Sequence, residues 1–189
     1  MRPPGCWYRP NVVTDPDALF TAMCDEVPWT RQMRSRLTAS MGVPYNYSGA
    51  RYPVADWHPA VDALRHEFAP ALGFLATNCL LNRYPDGRHT LGWHADDVDI
   101  LQPGTGIGIL SLGVARIMRL RTKVREAFEY EDLLLEPGSL LYMSAEMQTD
   151  WKHALKRSDT DRPRISLSFR HIVKWTSEPE PMKPRWGED

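Results

Sequence analysis

The sequence predicts a mainly β, α+β fold: an antiparallel double-sheet jelly roll (a double-stranded β-helix) with N-terminal helices packed on one sheet. Three observations carry this prediction. Two helix-periodic stripes, the first with a capping residue, come early in the chain. From residue 78 onward the apolar period changes from about 3.6 to about 2. The short strand-like runs then follow one another through turns, which argues against alternating βαβ units.

The first helix is announced by Asp15, a capping residue, and by Pro16 at the first helical position; Leu19, Phe20, Met23 and Val27 form its apolar stripe. The second follows Trp57-His58-Pro59, with Val61, Leu64, Phe68 and Leu72 recurring on one side. Residues 44–57 between them hold Pro, Gly, Ser and three tyrosines, a composition of irregular strands and loops. Asn78 to Tyr84 alternates, Pro85-Asp86-Gly87 marks a turn, and residues 88–94 resume an extended run that places His89 and His94 on opposite faces. Residues 97–106 read as a loop. Short strands are expected over 107–112, 115–121, 128–135, 139–143 and 163–173, with a turn at Pro137-Gly138. Together these make one domain over residues 1–177, with its jelly-roll core at about 78–173. Residues 178–189 carry prolines and glycines without periodicity and read as a loose tail.

Composition narrows the function classes. The 189 residues suit one domain with a real core, and 42% hydrophobic with 25% charged residues is an ordinary globular balance. A formal net charge of −1 supplies no global field towards DNA or an anionic membrane, so nucleic-acid contact needs local basic patches. Arg31, Arg34 and Arg36, then Arg116, Arg119, Arg121, Lys123 and Arg125, are the local clusters; a solvated face and phosphate contact explain them equally well. Three widely spaced cysteines fit a reducing compartment. No apolar run approaches the ~18 residues of a membrane span. The expectation is a soluble, cytoplasmic, monomeric protein.

Three segments point to chemistry. In Trp93-His94-Ala95-Asp96 the two metal-capable side chains lie two apart, and on a strand such residues face the same way. An imidazole and a carboxylate are two thirds of the facial triad that leaves open positions on iron(II). His153, after the intervening strands, is the candidate third ligand. His-x-Asp pairs also occur as plain surface or capping pairs. In Arg164-Ile165-Ser166-Leu167-Ser168-Phe169-Arg170 the apolar residues form one face and two arginines with two serines the other. Two arginines on a buried strand face need a compensating anion, and a dicarboxylate would use both. An exposed sheet face with salt bridges has the same spacing. In Leu80-Leu81-Asn82-Arg83-Tyr84, finally, Asn82 and Tyr84 share a face and offer an amide and a phenol to a small acid.

These segments, in this order and spacing, resemble the AlkB family of iron(II)/2-oxoglutarate dioxygenases. The likeness runs from about residue 45 to 173 and includes Tyr45-Asn46-Tyr47-Ser48-Gly49 and Trp57-His58-Pro59, features of the subgroup that repairs alkylated DNA and RNA. The resemblance implies Fe(II) held by His94, Asp96 and His153, with 2-oxoglutarate and O2 as co-substrates. It implies that Arg170 and Asn82 bind the 1-carboxylate and that Arg164 and Tyr84 pair with the distal one. Ser166 and Ser168 replace the family's Asn and Thr and have shorter reach. It further implies that Tyr47 stacks on a flipped or single-stranded base and that Leu80 lines the pocket. An acidic residue is expected four positions after the first iron histidine. Val98 stands there, with Asp99 one step on. The implied activity is oxidative demethylation of N-alkylated bases in DNA or RNA. The alternative is the same oxidation on a nucleoside, a biosynthetic intermediate or a protein. A hydrolytic zinc centre would share the ligand set and leave the paired arginines unexplained.

Overall fold

The computed structural model describes residues 3–47, 49–124 and 128–175, with Tyr47 described in its backbone alone. The expected tail and Arg125 lie outside the described residues. The element order is β1 (Cys6–Arg9), α1 (Pro16–Glu26), β2 (Thr30–Met33), β3 (Arg36–Gly42), β4 (Tyr45–Tyr47), β5 (Ala50–Tyr52), α2 (Pro59–Leu72), β6 (Asn78–Tyr84), β7 (Leu91–His94), β8 (Gly106–Gly113), β9 (Arg116–Thr122), β10 (Tyr130–Leu135), β11 (Ser139–Ser144), α3 (Ala145–Asp150), β12 (Trp151–Leu155) and β13 (Arg164–Arg170).

Both long helices start where the sequence predicts, the first at its Asp15 cap and the second after Trp57-His58-Pro59. Asp15 Oδ1 accepts from the Ala18 N–H at 2.9 Å ahead of α1. His58 Nδ1 accepts from the Ala60 N–H ahead of α2, which ends at Gly73 in the left-handed region. Val61, Leu64, Phe68 and Leu72 are the buried face of α2, as their spacing requires. No helix of the described residues is long and apolar enough to cross a membrane.

The strands form two main sheets. The larger has the order β1-β11-β8-β13-β6-β3-β2, the smaller β10-β9-β12-β7, and β4 with β5 makes a separate hairpin. All the pairings are antiparallel. Each main sheet puts one face to the other, and this explains the alternation read in β13. Ile165, Leu167 and Phe169 join Leu81, Leu110 and the buried faces of α1 and α2 in one apolar core, where Phe68 meets Phe169 edge-on at 5.9 Å. Leu80, Ile109, Met118, Leu120, Leu133 and Leu141 form the second core between the sheets. Strand β13 is thus buried on both faces, and the exposed-face reading of its arginines is excluded.

Three expectations need correction. The extended run of 88–94 shortens to β7, because Asp86 Oδ1 accepts from the backbone N–H groups of Arg88 and His89 and lies 2.6 Å from His89 Nδ1. His89 therefore sits in the turn, not across the strand from His94. Gly87 in that turn packs on the Ser158 carbonyl so closely that a Cβ would stand 2.0 Å from it. Strands β1, β2, β3 and β12 with helix α3 went unread, since their short or Thr- and Ser-rich stretches carry little apolar periodicity. Third, the basic clusters are not uniform surfaces. Arg36 and Arg116 are buried, whereas Arg31 and Arg34 are exposed.

Candidate active site

The residues singled out by the sequence converge between the two sheets, at the open end of the second core. Asn82 and Tyr84 on β6, with Arg164, Ser166, Ser168 and Arg170 on β13, line one wall of a cavity; His94 and His153 line the opposite wall. Leu80, Ile109, Met118 and Leu155 make the rest of the lining largely apolar. The β13–β6 register sets Arg164 opposite Tyr84 and Ser166 opposite Asn82, so two adjacent strands deliver their polar faces to one place.

His94 and His153 are paired residues of β7 and β12, which brings their rings to 4.1 Å. Asp96 arrives differently from the strand alternation expected for it. It lies in the segment beyond β7, where Gln148 Oε1 accepts its backbone N–H at 3.0 Å and Arg170 Nη2 donates to its Oδ2 at 3.1 Å. One ligand atom from each of His94, Asp96 and His153 lies within 4.8 Å of the other two. The Gly92 carbonyl, 2.9 Å from His94 Nδ1, can only accept. It therefore selects the tautomer with the proton on Nδ1 and makes Nε2, 3.6 Å from Asp96 Oδ1, the atom that would face a metal.

Electrostatics suit a cation. Burial alone would raise the Asp96 carboxyl, but the Arg170 guanidinium, through its charge and its hydrogen bond, outweighs it and holds the group ionised below the usual carboxylate range. Burial pushes the His153 imidazole down to about 3, and His94 and Arg170 add to the effect, so it stands neutral and ready to ligate. Two neutral-capable imidazoles and a carboxylate make the donor set of an open iron(II) site. The opposite wall suits an anion. Arg164 is 1% exposed and, among the described residues, donates only to Ser111 Oγ, at 2.9 Å; burial, with Arg116 nearby, lowers its guanidinium to about 10. The Nε atoms of Arg164 and Arg170 are both buried without an acceptor among the described residues. A small dianion fits this deficit.

Comparison with known proteins agrees. The model of the 2OG-Fe(II) oxygenase superfamily matches residues 7–170. The Homo sapiens protein named alpha-ketoglutarate-dependent dioxygenase alkB homolog 3 is 30% identical over 201 residues, covering 96% of this chain and 68% of that protein. The chain belongs to the AlkB family of 2OG-Fe(II) oxygenases. The Mus musculus protein named DNA oxidative demethylase ALKBH2 is 33% identical over 77% of this chain. The match spans 64% of the Bos taurus alkB homolog 3 and 64% of the mouse ALKBH2, so the chain accounts for about two thirds of these relatives' length. The solved structure of OsALKBH1 superposes with a TM-score of 0.59 at 16% identity, covering 90% of this chain and all of that one; it shares the fold.

Within this family member, two expected substrate residues fall elsewhere. Val98 packs on the second core, and Asp99 is exposed, its N–H donating to Asp97 Oδ1 at 3.0 Å; neither lines the cavity. Asp97, whose carboxylate caps that turn, is itself exposed. It lines a neighbouring cleft with Asn46 and Tyr45, and Tyr45 also lines the main cavity. The Tyr47 side chain lies outside the described residues. Arg36, grouped by sequence with two exposed arginines, lines the main cavity and donates through Nε to Asn82 Oδ1 at 2.6 Å. Gln148 also escaped the sequence reading. A buried glutamine on a short helix gives no pattern, and only its hydrogen bond to Asp96 reveals it.

Proposed function

We propose that this protein is an Fe(II)/2-oxoglutarate-dependent dioxygenase that demethylates N-alkylated bases in DNA or RNA by oxidation. One observation carries the chemistry: across one small cavity, a His-Asp-His ligand set faces two buried arginines whose Nε atoms have no acceptor among the described residues. Bound iron(II), with 2-oxoglutarate and O2, supplies hydroxylation of a C–H bond, and a hydroxylated N-methyl group is lost as formaldehyde.

The chain's own residues do the rest. His94, Asp96 and His153 hold the metal, and Gly92 and Gln148 orient the first two. Arg170 and Asn82 take one carboxylate of 2-oxoglutarate; Arg164 and Tyr84 take the other. Ser166 and Ser168 stand between them. Leu80 and its apolar neighbours keep water away from the reacting carbon. Tyr47 stacks on the base, and Asp97 in the neighbouring cleft offers a carboxylate to the positive charge of a methylated adenine or cytosine. The names of the relatives, alkB homolog 3 and DNA oxidative demethylase ALKBH2, support a nucleic-acid substrate.

The test is anaerobic reconstitution with iron(II) and 2-oxoglutarate, then O2 and mass spectrometry of methylated oligonucleotides. Succinate formed together with loss of methyl from 1-methyladenine or 3-methylcytosine supports the proposal. Succinate with unchanged oligonucleotides keeps the dioxygenase and rejects the nucleic-acid substrate.

A further inference from the structure

A guanidinium that leaves water needs an anion or a full set of acceptors. Arg36 has neither. It is 6% exposed at the start of β3 and has no carboxylate within ion-pair reach among the described residues. Its described partners are Asn82 Oδ1, 2.6 Å from Nε, and Ser35 Oγ, 3.1 Å from Nη1. Strand β3 pairs with β6 so that Thr38 opposes Asn82, and this sets Arg36 on the same cavity-lining face as Asn82. Arg31 and Arg34, its neighbours in the basic run, are exposed.

The contact has a direction. Arginine only donates, so the amide atom it meets must be the oxygen of Asn82. That leaves Nδ2, a donor of two hydrogens, turned away from Arg36, and no acceptor for it occurs among the described residues. An unrestrained asparagine can turn its amide over and present oxygen to an incoming carboxylate, which repels it. We propose that Arg36 is a positioning residue for 2-oxoglutarate: it locks the Asn82 amide with Nδ2 as the donor to the cosubstrate's carboxylate. This inference rests on the dioxygenase reading above.

The test is calorimetric titration of 2-oxoglutarate into Mn(II)-loaded protein, so the readout is binding and not turnover. Arg36→Gln is expected to raise the Kd about tenfold, the size of one charge-assisted hydrogen bond. Arg36→Lys, which keeps the charge and loses the planar fork, is expected between Arg36→Gln and the wild type. Mn(II) affinity should stay unchanged in both. Asn82→Ala should weaken 2-oxoglutarate binding by a similar factor, and the double variant should be no weaker than Asn82→Ala alone. Thermal melts of each variant separate a folding defect from a binding defect, and Arg36→Lys carries the test if Arg36→Gln does not fold. An unchanged Kd in Arg36→Gln overturns the proposal. So do multiplying effects in the double variant, because Arg36 would then act independently of Asn82. Loss of methylated-oligonucleotide binding with intact 2-oxoglutarate binding also overturns it and assigns Arg36 to the substrate. A wild-type protein that takes up Mn(II) but no 2-oxoglutarate would instead sink the dioxygenase reading itself.

Discussion

Replacing Arg116 with methionine removes a buried side chain that ties β9, the β6–β7 connection and the end of β12 together. Arg116 is 1% exposed. Its Nη1 donates to the Asp86 carbonyl, and its Nη2 is shared among the carbonyls of Gly87, His89 and Lys156, at 2.7–3.2 Å. The first three acceptors belong to the β6–β7 connection, and Lys156 follows β12. The arginine therefore clamps the two strands that present His94 and His153. Hydrogen bonds to a charged donor contribute about 1.5–3 kcal/mol each, but the buried guanidinium carries a desolvation cost that offsets part of them. The net loss should be about 3–5 kcal/mol, the usual cost of breaking a buried charged network. For a chain of this size each kcal/mol corresponds to about 2–4 °C, so the metal-free protein should melt about 6–20 °C lower. The assay is circular dichroism on chelator-treated wild type, Arg116→Met and Arg116→Lys, the lysine being intermediate because it reaches fewer carbonyls. A methionine variant melting within about 2 °C of wild type would refute the clamp.

Other outcomes follow from the same geometry. Asp96→Asn should abolish iron binding and turnover. It should also lower the stability of the metal-free protein by about 3 kcal/mol, because Arg170 loses its counter-ion while the new amide oxygen still accepts one bond; an unchanged melting curve would mean that the buried pair is not coupled. His153 titrates at about 3 when folded because burial, aided by His94 and Arg170, disfavours its charged form. An unfolded chain takes that proton near pH 6.5, roughly the ordinary histidine value. This group is neutral in both states above that pH and costs stability progressively as pH falls from it towards 3. His153→Asn should flatten the acid decline of the metal-free protein between pH 6.5 and 4; an equally steep decline would argue against the burial effect. Tyr47→Ala should weaken oligonucleotide binding and leave substrate-free 2-oxoglutarate decay intact, measured as succinate. Loss of both would count against a stacking role.

The sequence by itself determined those features whose physics is local. A cap and a stripe define α1 and α2 because helix ends and faces are set within a few residues. Unbroken alternation defines β13 and β6, and with them which side chains share a wall, because the pleat repeats every two residues. Only the tertiary structure decided the rest. Arg31, Arg34 and Arg36 are chemically alike, and Arg36 alone enters the cavity because β3 pairs with β6 in a register that no local pattern encodes. Arg116 stands in a basic run that a solvated face and phosphate contact explain equally well, and only the β6–β7 turn and the end of β12, closing over it, show that it is buried. Asp97 lines the cleft beside the cavity and Asp99 does not, because an Asx turn redirects the backbone after Asp96. His153 meets His94 through the pairing of β12 with β7, and burial between the sheets then fixes its protonation state. Local periodicity names the elements and their faces; registry and desolvation are properties of segments far apart in the chain, and they choose which charges become a site.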